Sequence, residues 1–255
     1  MSPSIFRQFI VLALAASVAI EVTLLAGIFQ LGSGAYHGLH LLLMAALAGA
    51  LLLQFRWART QGNAAAASAL LLAAGALSTG IGDYVNGALS GVSPVSLKLT
   101  WALLLFGIGY SLYVGVLWQA AKTCAPGNWQ TWRWLLPLLI LTGNVLAWFN
   151  HVEANVADHA LLYYGSFAFN ATLYVALPTL ALWFWAQTGR TPAAMIVLVG
   201  TVFIPWSDLV LFDSWLRGQD PDVPAFELYA LNWILYFGGQ ALFATLPSLL
   251  IERER

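Results

Sequence analysis

The sequence predicts an all-α fold, a polytopic membrane helix bundle, and three observations carry that expectation. Only 8% of the 255 residues are charged, against roughly 25% in a soluble globule that must coat its surface. Hydrophobic residues make up 60% of the chain and the mean hydropathy is +0.78. The apolar residues also fall in runs of membrane-spanning length. Together these exclude a water-soluble domain and a disordered chain. With ten basic residues against eleven acidic ones there is no basic face for nucleic acid.

A helical span needs about 20 mainly apolar residues to cross roughly 30 Å of hydrocarbon. Eight runs meet that need, at about 9–31, 35–54, 64–89, 99–120, 131–150, 159–186, 192–213 and 225–250. Each is bounded by Gly, Pro, Asn or charge. The connections are short, so residues 1–255 read as one integral membrane domain with its chemistry in the bundle or at its mouth. The first run has no small-x-small cleavage site and is interrupted by Glu21, so it is expected to stay as a helix rather than to be removed as a signal.

Eight spans put both termini on one side. Arg7, Arg56, Arg59, Lys122, Arg133, Arg190, Arg253 and Arg255 fall on that side, and only Lys98 and Arg217 fall opposite. Glu153, Asp158, Asp220, Asp222 and Glu227 gather with those two. The positive-inside bias then predicts cytoplasmic termini, in a bacterial inner membrane. Tryptophans such as Trp101, Trp118, Trp132, Trp148 and Trp215 lie near span ends and read as an interfacial belt. Cys124 falls in a cytoplasmic loop, and a lone cysteine forms no intrachain disulfide. No compact zinc-ligand spacing is present, so neither a structural metal nor a cofactor is expected.

Ionisable groups inside spans are costly, which makes them functional candidates. Three acids lie well within the runs: Glu21, Asp83 and Asp208, while Asp213 sits nearer an end. On a helix Thr79, Asp83 and Asn86 share one face, and Gly80 and Gly82 allow close approach of a neighbour or ligand. Asp208 follows Pro205-Trp206-Ser207, where the proline frees backbone carbonyls and is expected to kink the helix. The two aspartates stand 125 residues apart, each late in an outward-running span. They therefore fall at one depth, in what reads as two parallel four-helix halves.

Polar stripes surround them. The fourth span carries Phe106, Tyr110 and Tyr113; the eighth carries Asn232, Tyr236 and Gln240. The sixth aligns Tyr163, Ser166, Asn170 and Tyr174, and the first places Ser17 one turn before Glu21. His37 and His40 lie near the outer end of the second span, where an interfacial position accounts for them. Asn144, Asn170 and Asn232 are also of the type that merely bonds helix to helix, at about 0.6 kcal/mol each. Two facing carboxyls push their titrations apart, leaving an acid and a base in one site. Such a pair suits hydrolysis through a cationic intermediate, or a proton-coupled carrier.

The run Gly200-Thr201-Val202-Phe203-Ile204-Pro205-Trp206-Ser207-Asp208-Leu209-Val210-Leu211 resembles the Ser-Asp signature of the lysoplasmalogenase (YhhN-like) membrane family. Tyr236-Phe237-Gly238-Gly239-Gln240 is similar to that family's Tyr-x-x-x-Gln element, and Gly82-Asp83 to its earlier Gly-Asp. Tyr110-Ser111-Leu112-Tyr113 stands where the family has His-x-x-Tyr, so the role of that His is not carried over. The resemblance implies cleavage of the vinyl-ether bond of a lysophospholipid drawn from membrane lipid, to an aldehyde and a glycerophospho-head group, without a cofactor. It makes Asp83 and Asp208 the catalytic pair. With Asn86, Glu21 and Asn170 added from the polar stripes, Tyr110, Tyr113, Tyr236, Gln240 and Ser207 are the candidates to orient water or the ether. Two other readings stay open at this point. One is a small proton-coupled transporter or lipid-binding protein, favoured by midplane acids in repeated halves. The other is an intramembrane aspartyl protease, from Gly80-Ile81-Gly82-Asp83, although Pro247-Ser248-Leu249 is a poor match to the expected Pro-Ala-Leu.

Overall fold

A computed structural model describes residues 1–28, 30–88, 95–124, 132–153, 158–216 and 226–254. Within them every regular element is helical. The elements are α1 (Pro3–Leu25), α2 (Ser33–Thr60), α3 (Ala66–Ala88), α4 (Val95–Thr123), α5 (Trp132–Ala147), α6 (Ala160–Gln187), α7 (Pro192–Leu216), α8 (Phe226–Phe243) and α9 (Leu246–Arg253). Seven helices among the described residues are long and apolar enough to cross a membrane, α8 and α9 counting as one. An eighth, shorter apolar stretch covers Pro137–Asn150. The chain is an integral membrane helix bundle.

The helix ends follow local chemistry more closely than hydropathy does. α1 stops at Leu25, not near residue 31, although Ile28 and Leu31 continue the apolar run. Gly27 adopts φ +69°, its N–H bonds the Leu24 carbonyl at 3.0 Å, and the Ile28 N–H bonds Thr23 at 3.0 Å. That left-handed residue with its paired bonds is a Schellman stop. The same pattern at Gly62 (φ +66°) ends α2, six residues beyond the expected limit near 54. α6 widens to a π-helical turn over Ala171–Ala176, just before Pro178, which lacks the N–H that would bond the Tyr174 carbonyl. α7 continues through Pro205 as one helix.

Glycines permit two close helix crossings. A methyl group at Gly109 of α4 would lie 2.9 Å from the Gly75 carbonyl oxygen of α3. One at Gly239 of α8 would lie 2.9 Å from the Gly200 carbonyl oxygen of α7. Gly75 stands eight residues before Asp83, and Gly200 eight residues before Asp208. Each acid is thus held two turns beyond a backbone-to-backbone crossing with the following helix. Small residues allow this approach where lipid supplies no hydrophobic drive between helices.

Polar contacts tie the end of the bundle that carries the N-terminus. Arg7 of α1 pairs in two-pronged fashion with Glu252 of α9, at 3.0 and 2.5 Å. The N-terminal ammonium donates to the Leu53 carbonyl at 2.8 Å, and Gln54 Nε2 donates to Ser248 Oγ at 2.5 Å in the interior. Cys124 closes α4 as a buried free thiol; burial pushes its pKa up, against the pull of Arg253. Such a thiol is a poor nucleophile. Trp101 and Trp118 are exposed to the surroundings, in keeping with a belt, but Trp148 is not. It is buried, and its indole N–H donates to Ser166 Oγ at 3.1 Å, because Ser166 on α6 offers the acceptor a buried indole requires. The side chains of Trp132, Asp213, Trp215 and Glu227, and all of Arg217, Asp220, Asp222 and Arg255, lie outside the described residues.

Candidate active site

Asp83 and Asp208 lie within electrostatic reach of each other. Both are within the packed interior, and the charge of Asp83 acts on Asp208. The electrostatic neighbours of Asp208 also include Tyr110 of α4 and Tyr174 of α6, and those of Tyr236 of α8 include both acids. Five helices therefore converge here: α3 and α7 carry the acids, and α4, α6 and α8 carry the tyrosines. The Phe106 ring packs edge-on to Tyr236 at 6.1 Å and stacks near Tyr110 at 5.9 Å, forming an aromatic wall. Tyr113 donates to Gln240 Oε1 across α4 and α8. This leaves the Tyr110 hydroxyl and the Gln240 amide nitrogen without a hydrogen-bond partner in the interior, while the Tyr236 hydroxyl lies by Thr79. Buried polar atoms in that state are the ones that hold water or a ligand.

A second group also adjoins Asp83. Glu21 is fully buried, accepting from the Tyr36 hydroxyl at 2.9 Å and meeting His40 Nε2 at 3.0 Å. The other ring nitrogen of His40, Nδ1, stands 3.8 Å from Asp83 Oδ2. Trp233 stacks on the His40 ring at 3.5 Å with 4° between planes, and its N–H donates to Ser17 Oγ at 3.0 Å. His37 lies beside them; a methyl group at Gly87 would overlap its ring, so α3 is bare at the one place the imidazole fits. His37, His40, Asp83 and Trp233, with Asn86, Gly87, Tyr229 and Asn232, line a cavity of about 10 Å³ between α2, α3 and α8.

His37 and His40 are thus buried (6% and 3% exposed), not interfacial. The reason is rotational: both face α3 and α8 rather than lipid. Ser207 is fully buried and donates to the Ile204 carbonyl of its own helix at 2.7 Å, a local bond that holds it away from the pair. Of the α6 stripe, Tyr174 reaches Asp208, while Ser166 serves Trp148 and Tyr163 serves Glu153 at 3.3 Å. Asn170 is half-buried at the start of the π turn, and none of the described hydrogen bonds joins it to the acids. Tyr36, Tyr229 and Trp233 belong to the cluster without having been expected there. Only the period linking Tyr229, Asn232, Trp233 and Tyr236 on α8 signals them in sequence.

An apolar groove of about 780 Å³ opens between α4 and α6, lined by residues such as Leu103, Gly107, Ser111, Gly165 and Phe169. Phe169 forms part of its inner wall, and its ring lies 5.7 Å from that of Tyr110. The groove thus ends one aromatic layer from Asp208. Comparison with known proteins finds no match: no family model fits the chain, and no curated sequence or solved structure is similar to it.

Proposed function

We propose that the chain is a membrane-embedded hydrolase of the lysoplasmalogenase type, which cleaves the vinyl-ether bond of a lysophospholipid. The observation that carries this reading is the buried Asp83–Asp208 pair beside a chain-sized apolar groove. Two facing carboxyls do not both ionise. In this reading Asp208 serves as the proton donor and Asp83, the acid beside His40, as the base.

The chemistry then closes. Asp208 delivers its proton to the vinyl carbon distal to the ether oxygen, forming a C–H bond and an oxocarbenium ion. Water adds to the cationic carbon and passes a proton to Asp83. In the collapse of the hemiacetal, Asp83 returns that proton to the departing alcohol oxygen, and the hemiacetal hydroxyl reprotonates Asp208. Aldehyde and glycerophospho-alcohol leave with both acids restored. Tyr110, Tyr236 and Gln240 offer polar atoms to position the water. The grouping of Arg7, Arg56, Arg59, Lys122, Arg190 and Arg253 at one end supports cytoplasmic termini in a bacterial inner membrane. The pair then sits toward the outer leaflet.

Purified protein in detergent is offered vinyl-ether, alkyl-ether and ester lysolipids of equal chain length. Aldehyde from the vinyl ether alone is the expected result; turnover of none, or of the ester only, overturns the reading. Gly107→Trp, filling the groove, is expected to raise KM about tenfold with kcat little changed, the signature of lost binding shared by ground and transition states. Steady-state kinetics check this.

A further inference from the structure

The geometry points to a divalent metal site of zinc type at His37, His40 and Asp83, in a cavity whose lining does not include Asp208. One donor atom from each of the three lies within 4.8 Å of the others, and His40 Nδ1 stands 3.8 Å from Asp83 Oδ2. Donors around a tetrahedral zinc, at bond lengths near 2.1 Å, sit roughly 3.4 Å apart. The set needs only side-chain adjustment to close on an ion.

Three further observations make this a built site rather than a chance cluster. First, its electron-pair donors are idle: His37 Nδ1, Asp83 Oδ2, Asn86 Oδ1 and Asn232 Oδ1 are buried without a hydrogen-bond partner. Each of these atoms accepts rather than donates when the imidazole nitrogen is bare, so they repel one another unless something positive lies between them. Second, the cavity they line, about 10 Å³, has room for one small particle and no more. Third, His40 is braced as a metal-binding histidine is braced. Its second nitrogen meets Glu21 at 3.0 Å, Glu21 is held in turn by Tyr36 at 2.9 Å, and Trp233 pins the ring face. A carboxylate behind a ligating imidazole fixes the tautomer and directs the free nitrogen at the ion.

Charge is consistent with a divalent ion. Lys98 of α4 is buried and its charge reaches His37, but Asp83 and Glu21 bring two carboxylates against that one ammonium. Imidazole nitrogens with a carboxylate suit zinc over magnesium or calcium, which prefer oxygen alone. Three protein ligands leave a fourth position for water, the arrangement of catalytic rather than structural zinc. Binding through Oδ2 leaves the second Asp83 oxygen to accept a proton. The site does not depend on the lipid assignment.

The test uses the full chain, purified without a histidine tag, stripped with chelator and titrated with Zn²⁺ alone. The expected result is one zinc per chain by elemental analysis, and intense visible absorption when Co²⁺ replaces it. His37→Gln and Asp83→Asn are each expected to weaken binding more than tenfold. Glu21→Gln, acting through His40, is expected to weaken it 10- to 100-fold. Gel filtration and thermal unfolding identify which variants are folded; His37→Gln removes no described hydrogen bond and serves as the reference. A folded wild type that takes up no stoichiometric zinc overturns the site. So does zinc uptake unchanged in His37→Gln and Asp83→Asn. Zinc bound as expected, with no lysolipid hydrolysed, leaves the site standing and removes the lipid reading.

Discussion

Asp208→Asn is expected to lower aldehyde release on the order of 10²- to 10⁴-fold, the range a general acid contributes. The amide keeps the shape of the carboxylic acid but has no proton acidic enough to transfer to carbon. Asp83→Asn removes the partner that takes a proton from water, and a loss of similar size is expected. The double variant is expected to be little worse than either single one, because residues that act as a unit are not additive. Stability separates a catalytic from a packing role. Neither acid is bound to a cationic side chain of fixed charge, and the amide has nearly the same volume, so in metal-free protein the thermal midpoint is expected to stay within about 4 °C of the parent, the shift produced by roughly 1 kcal/mol in a chain of this size. Retained aldehyde release in folded Asp208→Asn protein would exclude Asp208 as the proton donor.

The pair was legible from sequence because a carboxyl in an apolar run is conspicuous whatever its neighbours. The cluster around it was not. His37 and His40 stand near a helix end, where an interfacial side chain and an inward one have the same sequence signature. What turns them inward is the contact of α2 with α3 and α8: the bare backbone at Gly87 and the flat face of Trp233. A stripe also states which residues share a face without stating which neighbour receives it. Tyr163, Ser166 and Tyr174 share one on α6, yet Ser166 meets Trp148, just beyond α5, and Tyr174 lies within electrostatic reach of Asp208. The spans themselves follow from apolar length, and their ends are displaced wherever a glycine adopts a left-handed conformation inside a hydrophobic run, as at Gly27.

Gly239→Ala and Gly200→Ala are expected to be the most destabilising single-methyl changes at the α7–α8 crossing, while Gly238→Ala beside them is expected to be harmless. Intrinsic helix propensity favours alanine over glycine by about 1 kcal/mol at all three positions, so a purely local view predicts three stabilised proteins. Packing reverses the sign at two of them. A methyl at Gly200 would lie 2.6 Å from the Phe243 nitrogen and 2.8 Å from the Gly239 carbonyl oxygen; one at Gly239 would lie 2.9 Å from the Ile204 nitrogen. These are backbone atoms, which no rotamer change can move aside, so the helices themselves must separate. At Gly238 the added methyl meets only Phe203 Cδ2, at 3.8 Å, an ordinary contact. Overpacking costs about 1–3 kcal/mol, and against rigid backbone the upper end applies, a fall in thermal midpoint of roughly 6–12 °C. Gly238→Ala is expected to hold or slightly raise the midpoint. Because Asp208 lies two turns along α7 from this crossing and Tyr236 precedes Gly239 on α8 by less than one, separation of the two helices also spreads the site. Activity at Gly200→Ala is therefore expected to fall at temperatures where the protein is still folded. A thermal melt of the three variants, with turnover measured below each transition, distinguishes this from simple unfolding, since a protein that was only less stable would keep its full rate in the cold.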